Sequence, residues 1–166
     1  LLVDSKAEII PCKTFDDCFN NAALEPESRI IIPESNRITG NIGIEYLIFK
    51  YRLNIYMEHF QKIEHNLLGQ PGAKLSDIKE VYSHAQGLSQ CSKFIKDNNI
   101  VEHIRADTAG SAEMISKTKD KKQAAIASSL SAKIYGLDII KKNIENESGN
   151  LTRFLIMGKN IVQPEF

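Results

Sequence analysis

Apolar positions in this chain come in short blocks, and their period changes along the sequence. Residues 7–11 (AEIIP) read as a short buried strand ended by Pro11. In TFDDCFNNAAL the period becomes helical, with Phe15, Cys18, Phe19 and Ala22 or Ala23 on one face. Thr14 is placed to cap that helix, and Asp16 and Asp17 suit the positive end of its dipole. SRIIIP follows as a second buried strand closed by Pro33, so the first 33 residues predict a parallel βαβ unit. PESNRITGNIG is loop material, and IGIEYLIFKY predicts an amphipathic helix. A long alternation then sets Ile55, Met57, His59, Gln61, Ile63, His65 and Leu67 on one side of one extended strand. QPGAKLSDIK is a surface turn with Pro71-Gly72 at its corner.

From there one pattern repeats three times. IKEVYSH, VEHIRADT and QAAIASS are strands, and each runs into a helix: AQGLSQCSKFIKDN, AGSAEMISKT and LSAKIYG, the last stopped by Gly136. A hydroxyl stands at each junction, at Ser83, at Thr108 and at Ser128 or Ser129. These residues suit N-caps. Helix starts gathered at one sheet edge also present N–H groups to anions, so the same residues suit a carboxylate pocket, and both readings stay open. The last block, NLTRFLIMG, is strand-like but opens with an amide, a hydroxyl and a guanidinium at Asn150, Thr152 and Arg153. Burial alone does not ask for those three groups.

Composition narrows the class. The chain has 166 residues, room for one domain or two small lobes sharing a hinge. It is 42% hydrophobic and 25% charged, with 21 basic and 21 acidic residues, so no net field draws it to nucleic acid or a membrane. No apolar run approaches the ~20 residues of a membrane span. The chain starts at Leu1 rather than Met, which suggests a fragment. Cys12, Cys18 and Cys91 form no paired framework and suit thiols in a reducing cytoplasm. His59, His65, His84 and His103 are scattered, without the spacing of a zinc site.

VYSHAQGLSQC (81–91) and NLTRF (150–154) are specific enough to resemble a known family, the prephenate dehydratases. The resemblance extends over nearly the whole chain. AEIIPCKTFDDCF is similar to the family's second strand and following helix, and MEHFQKIEHNLLG to its Gly-Glu-x-x-Leu-x-Ile-x-His strand. ADTAGSAEMI is similar to its Thr-Ala helix start, and AAIASSLSAKIYGLDIIKKNIENESGNLTRF to its closing segment. It implies an α/β fold of the type II periplasmic-binding-protein kind, two lobes with a cleft between them. Residues 1–56 with 158–166 would form one lobe and 57–157 the other. Two departures stand out. The family's Pro-Ile-Glu-Asn-Ser loop is here Pro33-Glu34-Ser35-Asn36-Arg37 with Gly40 in register, so Asn36 matches while Ser35 and Arg37 replace a glutamate and a serine. A shifted loop would bring Glu34 into the glutamate's place. The family's opening strand and Gly-rich turn have no counterpart, and the chain ends where a phenylalanine-binding ACT domain would begin.

The implied reaction turns prephenate into phenylpyruvate. Carbon dioxide and the ring hydroxyl leave together, and the barrier lies in expelling hydroxide, so a donor to that oxygen is required. No metal or organic cofactor is needed in principle. Arg153 suits a bidentate grip on a carboxylate, and Thr152 a hydrogen bond to the departing oxygen. The resemblance implies that Phe154 packs behind them. Asn36, Ser83, His84, Gln86, Thr108, Ala109 and Asn150 are the expected substrate-binding set, with Gly110 adding a helix-start N–H. His65 is expected to be a sheet histidine. Adjacent strand residues point to opposite faces, so irregular backbone is expected at residues 150–152. The partner is the small-molecule substrate, with a homodimer or larger assembly implied and the cytoplasm as location. The rival readings are arogenate dehydratase and a carboxylate-binding module without turnover.

Overall fold

The computed structural model describes residues 7–160, so expectations for residues 1–6 and 161–166 lie outside the described residues. The chain divides into two compact units. One holds the described residues up to Gln61 and from Leu151; the other is Lys62–Asn150. The crossings therefore fall at 61/62 and 150/151, against the expected 56/57 and 157/158, and the last strand lies wholly with the first unit.

The first unit is built on a four-stranded sheet in the order β2-β1-β9-β3. Its elements are α1 (Phe15–Leu24), β1 (Ile30–Asn36), β2 (Gly40–Asn41), α2 (Glu45–Tyr51), β3 (Asn54–Lys62) and β9 (Leu151–Gly158). Helix α1 forms as expected: Thr14 Oγ1 accepts the Asp17 N–H at 3.1 Å, and Phe19 and Ala22 are buried. Ile30, Ile32, Leu155 and Met157 face that helix with Leu47, and each fully buried side chain of this size contributes roughly 1.5–3 kcal/mol.

The βαβ expectation fails here. Residues 7–11 form no strand, and Ile9 and Ile10 are 85% and 63% exposed. β1 instead runs antiparallel to both β9 and β2. Nor does Pro33 end the strand. It sits beside a bulge, where a missing N–H is tolerated, and the ladder resumes at Ser35. The single long alternating strand also divides, since residues 63–65 separate β3 from β4 (Asn66–Gly69). Ile63 N–H donates there to the Asn150 carbonyl at 2.8 Å.

In the second unit a five-stranded mixed sheet runs β6-β5-β7-β4-β8. Its elements after β4 are β5 (Glu80–His84), α3 (Ala85–Gln90), α4 (Ser92–Asp97), β6 (Val101–Arg105), α5 (Thr108–Thr118), β7 (Gln123–Ala127), α6 (Ser129–Tyr135) and β8 (Asp138–Lys141). β5 is parallel to β6 and β7, while β4 is antiparallel to β7 and β8. Period-two alternation splits the core. Leu67, Ala124 and Ile126 pack with Leu88 and Ile95 of α3 and α4, whereas Leu68, Ala125 and Ala127 pack with Ala112 and Ile115 of α5.

The helix expected over 85–98 is broken at Cys91. Asn146 supplies the reason. Its Nδ2 donates to Ser89 O and Ser92 Oγ, its backbone N–H takes Gln90 O, and its Oδ1 accepts the Lys93 N–H. One distant asparagine thus replaces the bonds that would have carried the helix through. Cys91 is buried at the break, and burial, with the Glu145 carboxylate adding to it, pushes its thiol up to about 12.

Candidate active site

In the first unit the polar start of β9 meets the bulged end of β1. Thr152 pairs with Asn36 and Arg153 with Ser35, while Phe154 pairs with Pro33, so Glu34 is the extra residue of the bulge. The irregularity expected on residues 150–152 lies across the ladder at Glu34, and just upstream at Gly149, whose φ is 85°. β9 itself is regular from Leu151. Thr152 and Arg153 therefore point to opposite faces, as alternation requires.

Asn36 fixes the Thr152 hydroxyl. Its Oδ1 accepts the backbone N–H groups of Ile38 and Thr39 at 2.9 and 3.2 Å. That leaves the amide nitrogen turned the other way, and Nδ2 donates to Thr152 Oγ1 at 2.8 Å. An oxygen that accepts from an amide keeps its own proton for an outside acceptor. Thr152 is 8% exposed, so this donor is held in a nearly dry setting.

On the other face, Arg153 lies between two carboxylates. Glu58 of β3 takes Nε and Nη2 with one oxygen, each at 2.7 Å, and Glu34 stands 3.5 Å from Nη1. The Glu34 carboxylate also accepts the Ser35 hydroxyl at 2.6 Å. A carboxylate therefore does reach the arginine from the altered loop, through Glu34 and the bulge. Phe154 is half-buried and, by the same alternation, lies on the Thr152 face.

The second unit holds the remaining candidates. Ser83 is fully buried and donates to the Ile126 carbonyl at 2.7 Å, so its hydroxyl proton serves the sheet. It does not cap α3. His84 does, accepting the Gln86 N–H on Nδ1 at 3.3 Å, which places the ring proton on Nε2. His84, Gln86 and Ala109 are exposed and Thr108 is half-buried. Thr108 was expected to cap α5, but Asp107 holds that position, its carboxylate accepting the Gly110 N–H. An acidic cap fills part of the anion site proposed for that helix start, and Thr108 becomes the first helical residue. Gly87 is where several of these residues converge. A Cβ built there would lie 2.9 Å from Ser83 Oγ and 3.7 Å from both His65 Cε1 and Thr108 Cγ2.

Asn150 is buried, with Nδ2 on Gln90 Oε1 at 3.2 Å, and His65 Nε2 meets the same oxygen at 2.7 Å. A carbonyl oxygen only accepts, so His65 carries its proton on Nε2. Among the described residues no group of three or more His, Cys, Asp or Glu is placed to hold a metal ion, and no helix is long and apolar enough to cross a membrane. Sequence reasoning missed Glu58, Gln90 and Asp107 as partners in these arrangements. Glu58 and Gln90 lie inside the motifs quoted above, but nothing local marks which distant side chain each one meets.

A sequence model described as prephenate dehydratase matches residues 1–161. The chain belongs to the prephenate dehydratase family. It is 37% identical over 158 residues to arogenate dehydratase/prephenate dehydratase 1, chloroplastic, of Arabidopsis thaliana, covering 95% of this chain and 40% of that protein. Against the bifunctional N-acyl-homoserine lactone acylase/prephenate dehydratase of Komagataeibacter europaeus it is 32% identical, with 90% and 54% covered. The solved prephenate dehydratase of Staphylococcus aureus matches with a TM-score of 0.79 and 28% identity, covering 90% of this chain and 55% of that one. The fold is thus the mixed α/β, type II periplasmic-binding-protein-like fold of prephenate dehydratases. This chain spans about two fifths of the plant relative's length and about half of the other two.

Proposed function

We propose that this chain carries the decarboxylating dehydration of prephenate to phenylpyruvate in phenylalanine biosynthesis, with arogenate as the second candidate substrate. Family membership supports the dehydratase class. The observation that carries the residue assignment is the Asn36 amide on Thr152 Oγ1, which leaves the threonine O–H as a fixed donor in a nearly dry setting. Thr152 would bond the ring oxygen as it departs, most strongly when negative charge has built up there. Arg153, bracketed by Glu58 and Glu34 on the opposite face of β9, would reach around the start of the strand to present its remaining N–H groups to a substrate carboxylate. Asn36 acts through Thr152, and Phe154, two residues on, lies on the threonine's face of β9. Thr108 and Ala109 at the start of α5, with His84, Gln86 and Asn150, are the second unit's own candidate groups for a carboxylate. Ser83 supports that region from beneath Gly87. The arogenate reading stays beside it because the Arabidopsis relative's name includes both activities.

Three free thiols support a reducing compartment, for which the cytoplasm is our reading; the Arabidopsis relative is named as chloroplastic. Assembly as a homodimer or larger is part of the same proposal. The experiment is turnover by the full-length protein supplied separately with prephenate and arogenate, following phenylpyruvate absorbance and phenylalanine. Turnover of either substrate sustains the proposal. Tight binding of both without product would replace it with a carboxylate-binding module.

A further inference from the structure

Two thiols at the start of α1 belong to none of the arrangements above. The chain enters that helix through residues 7–12, which form no strand and are exposed as far as Pro11. Thr14 is the N-cap, so Cys18 is the fourth helical residue. An apolar residue just ahead of a cap often packs on that fourth position and fixes the angle at which the chain enters, the arrangement called a hydrophobic staple. Here both members are cysteines, with Cys12 one position further out than usual. Asn21 Nδ2 donates to Cys12 Sγ at 3.5 Å. Asn21 follows Cys18 by three residues on the same strip of α1, so the Cys12 sulfur is held against the strip that carries Cys18. The Cys12 S–H turns back to the Ile10 carbonyl, 3.7 Å away. Burial first, then the hydrogen-bonding Cys12 thiol beside it, with the Asp17 carboxylate adding, push the Cys18 thiol up to about 11. Both cysteines are half-buried, whereas Cys91 is fully buried in the other unit.

We infer that Cys12 and Cys18 form a reversible disulfide, a redox modification site that fastens the chain entering α1 to the helix itself. The inference stands apart from the dehydratase reading. The oxidant is a low-molecular-weight disulfide of the glutathione disulfide class. Cys12 gives up its proton, and its sulfur attacks one sulfur of the oxidant. The oxidant's S–S bond breaks, and the departing thiolate takes a proton and leaves as the first glutathione thiol. Cys18, which holds its proton more tightly, then loses it and attacks the Cys12 sulfur of the mixed disulfide, releasing the second glutathione thiol. Two protein thiols are thereby oxidised by two electrons, and one glutathione disulfide is reduced to two thiols. In a reducing compartment the pair stays as free thiols, its state in the structure. The bridge spans the Thr14 cap, so oxidation ties residues 7–12 to the first turns of α1.

The test treats the folded full-length protein with glutathione disulfide, blocks the remaining thiols by alkylation in denaturant and maps the peptides by mass spectrometry. Wild type should lose the Cys12 and Cys18 thiols together to one internal bridge, Cys91 should stay reduced, and dithiothreitol should restore both thiols. Cys18→Ser should stop after the first step and accumulate glutathione on Cys12. Cys12→Ser should leave Cys18 a free thiol. The wild-type map decides the matter even if a serine variant fails to fold. Thiols that stay free, a separate glutathione on each cysteine, or a bridge to Cys91 would each overturn the inference. Glutathione on Cys18 in Cys12→Ser, with none on Cys12 in Cys18→Ser, would overturn the order of attack.

Discussion

In residues 62–150, the residues that cap the helices at the strand-to-helix turns bond to backbone two or three positions away: His84 to Gln86, Asp107 to Gly110, Ser128 to Ser131. Around Thr152 in the other unit, polar side chains bond partners 116, 95 and 119 positions away: Asn36, Glu58 and Glu34. Local bonds of the first kind stabilise helix starts and would survive in any fold that kept the turn. Those of the second kind exist only after β1, β3 and β9 have paired, and they hold a hydroxyl and a guanidinium in fixed orientations. The difference separates capping from site-building, and it says where substitutions should affect catalysis and where they should affect stability.

The sharpest way to break that comparison is at Thr152. Thr152→Val is nearly isosteric and removes the donor. It should reduce kcat by ~10²–10³ with little change in KM, the range for loss of an oxyanion-type donor. Thr152→Ser should keep much of the rate, since Asn36 can still donate to its oxygen. Steady-state kinetics on the preferred substrate decides it. A rise in KM alone, or equal losses in the two variants, would make the hydroxyl a binding or structural group. Arg153→Lys comes next. The charge stays but the planar fork is lost, with its grip on Glu58, and kcat/KM should fall by about 1.5–3 kcal/mol, the range for charge-assisted hydrogen bonds. Unchanged kinetics would remove Arg153 from the site.

How far the sequence disclosed this follows from the same contrast. Helix α1 with its Thr14 cap, helix α6 with Ser128 before it and Gly136 after it, and the strands flanking α5 were legible because propensity, capping and period agree locally. The stop at Cys91 was not, because it depends on Asn146, more than fifty residues away. Pro33 misled for a related reason: proline ends a strand by default, and only the β9 ladder shows that a bulge accommodates it. At the candidate site, Asn36, Thr152 and Arg153 were found through family resemblance. The bulge that gives Glu34 a role depends on register, which spacing does not encode. Residues 7–11 had the right composition for a strand, but they have no ladder partner among the described residues.

The packing beneath the second unit's helix starts offers a smaller test. Gly87→Ala would set a Cβ 2.9 Å from Ser83 Oγ, and Ser83 cannot easily yield because it is bonded to Ile126 O. Overpacking of this kind costs roughly 1–3 kcal/mol, offset by up to about 1 kcal/mol from alanine's better helix propensity. A net loss of about 1–2 kcal/mol in denaturant unfolding is expected. In a double-mutant cycle with Ser83→Ala the two losses should fail to add, because removing the hydroxyl relieves the clash while taking its hydrogen bond from Ile126 O. Strict additivity would mean that the close approach is not what constrains position 87.

Asp107 gives the smallest effect and the cleanest discrimination. Its carboxylate accepts the Gly110 N–H at the start of α5, so Asp107→Ala should lower stability by about 1 kcal/mol, the usual loss for a cap. Asp107→Asn keeps an acceptor oxygen and should lose only a fraction of that. If the turn is capping and nothing more, KM is unchanged in both. A different outcome follows if the acidic cap occupies a place that a substrate carboxylate would otherwise use. Removing the charge then frees N–H groups at a positive helix end, and Asp107→Asn should bind the dicarboxylate substrate more tightly while folding almost as well. A lowered KM in the asparagine variant would move this helix start from the capping class into the site. An unchanged KM beside a lower unfolding midpoint in Asp107→Ala would keep the two units as different as their hydrogen bonds make them.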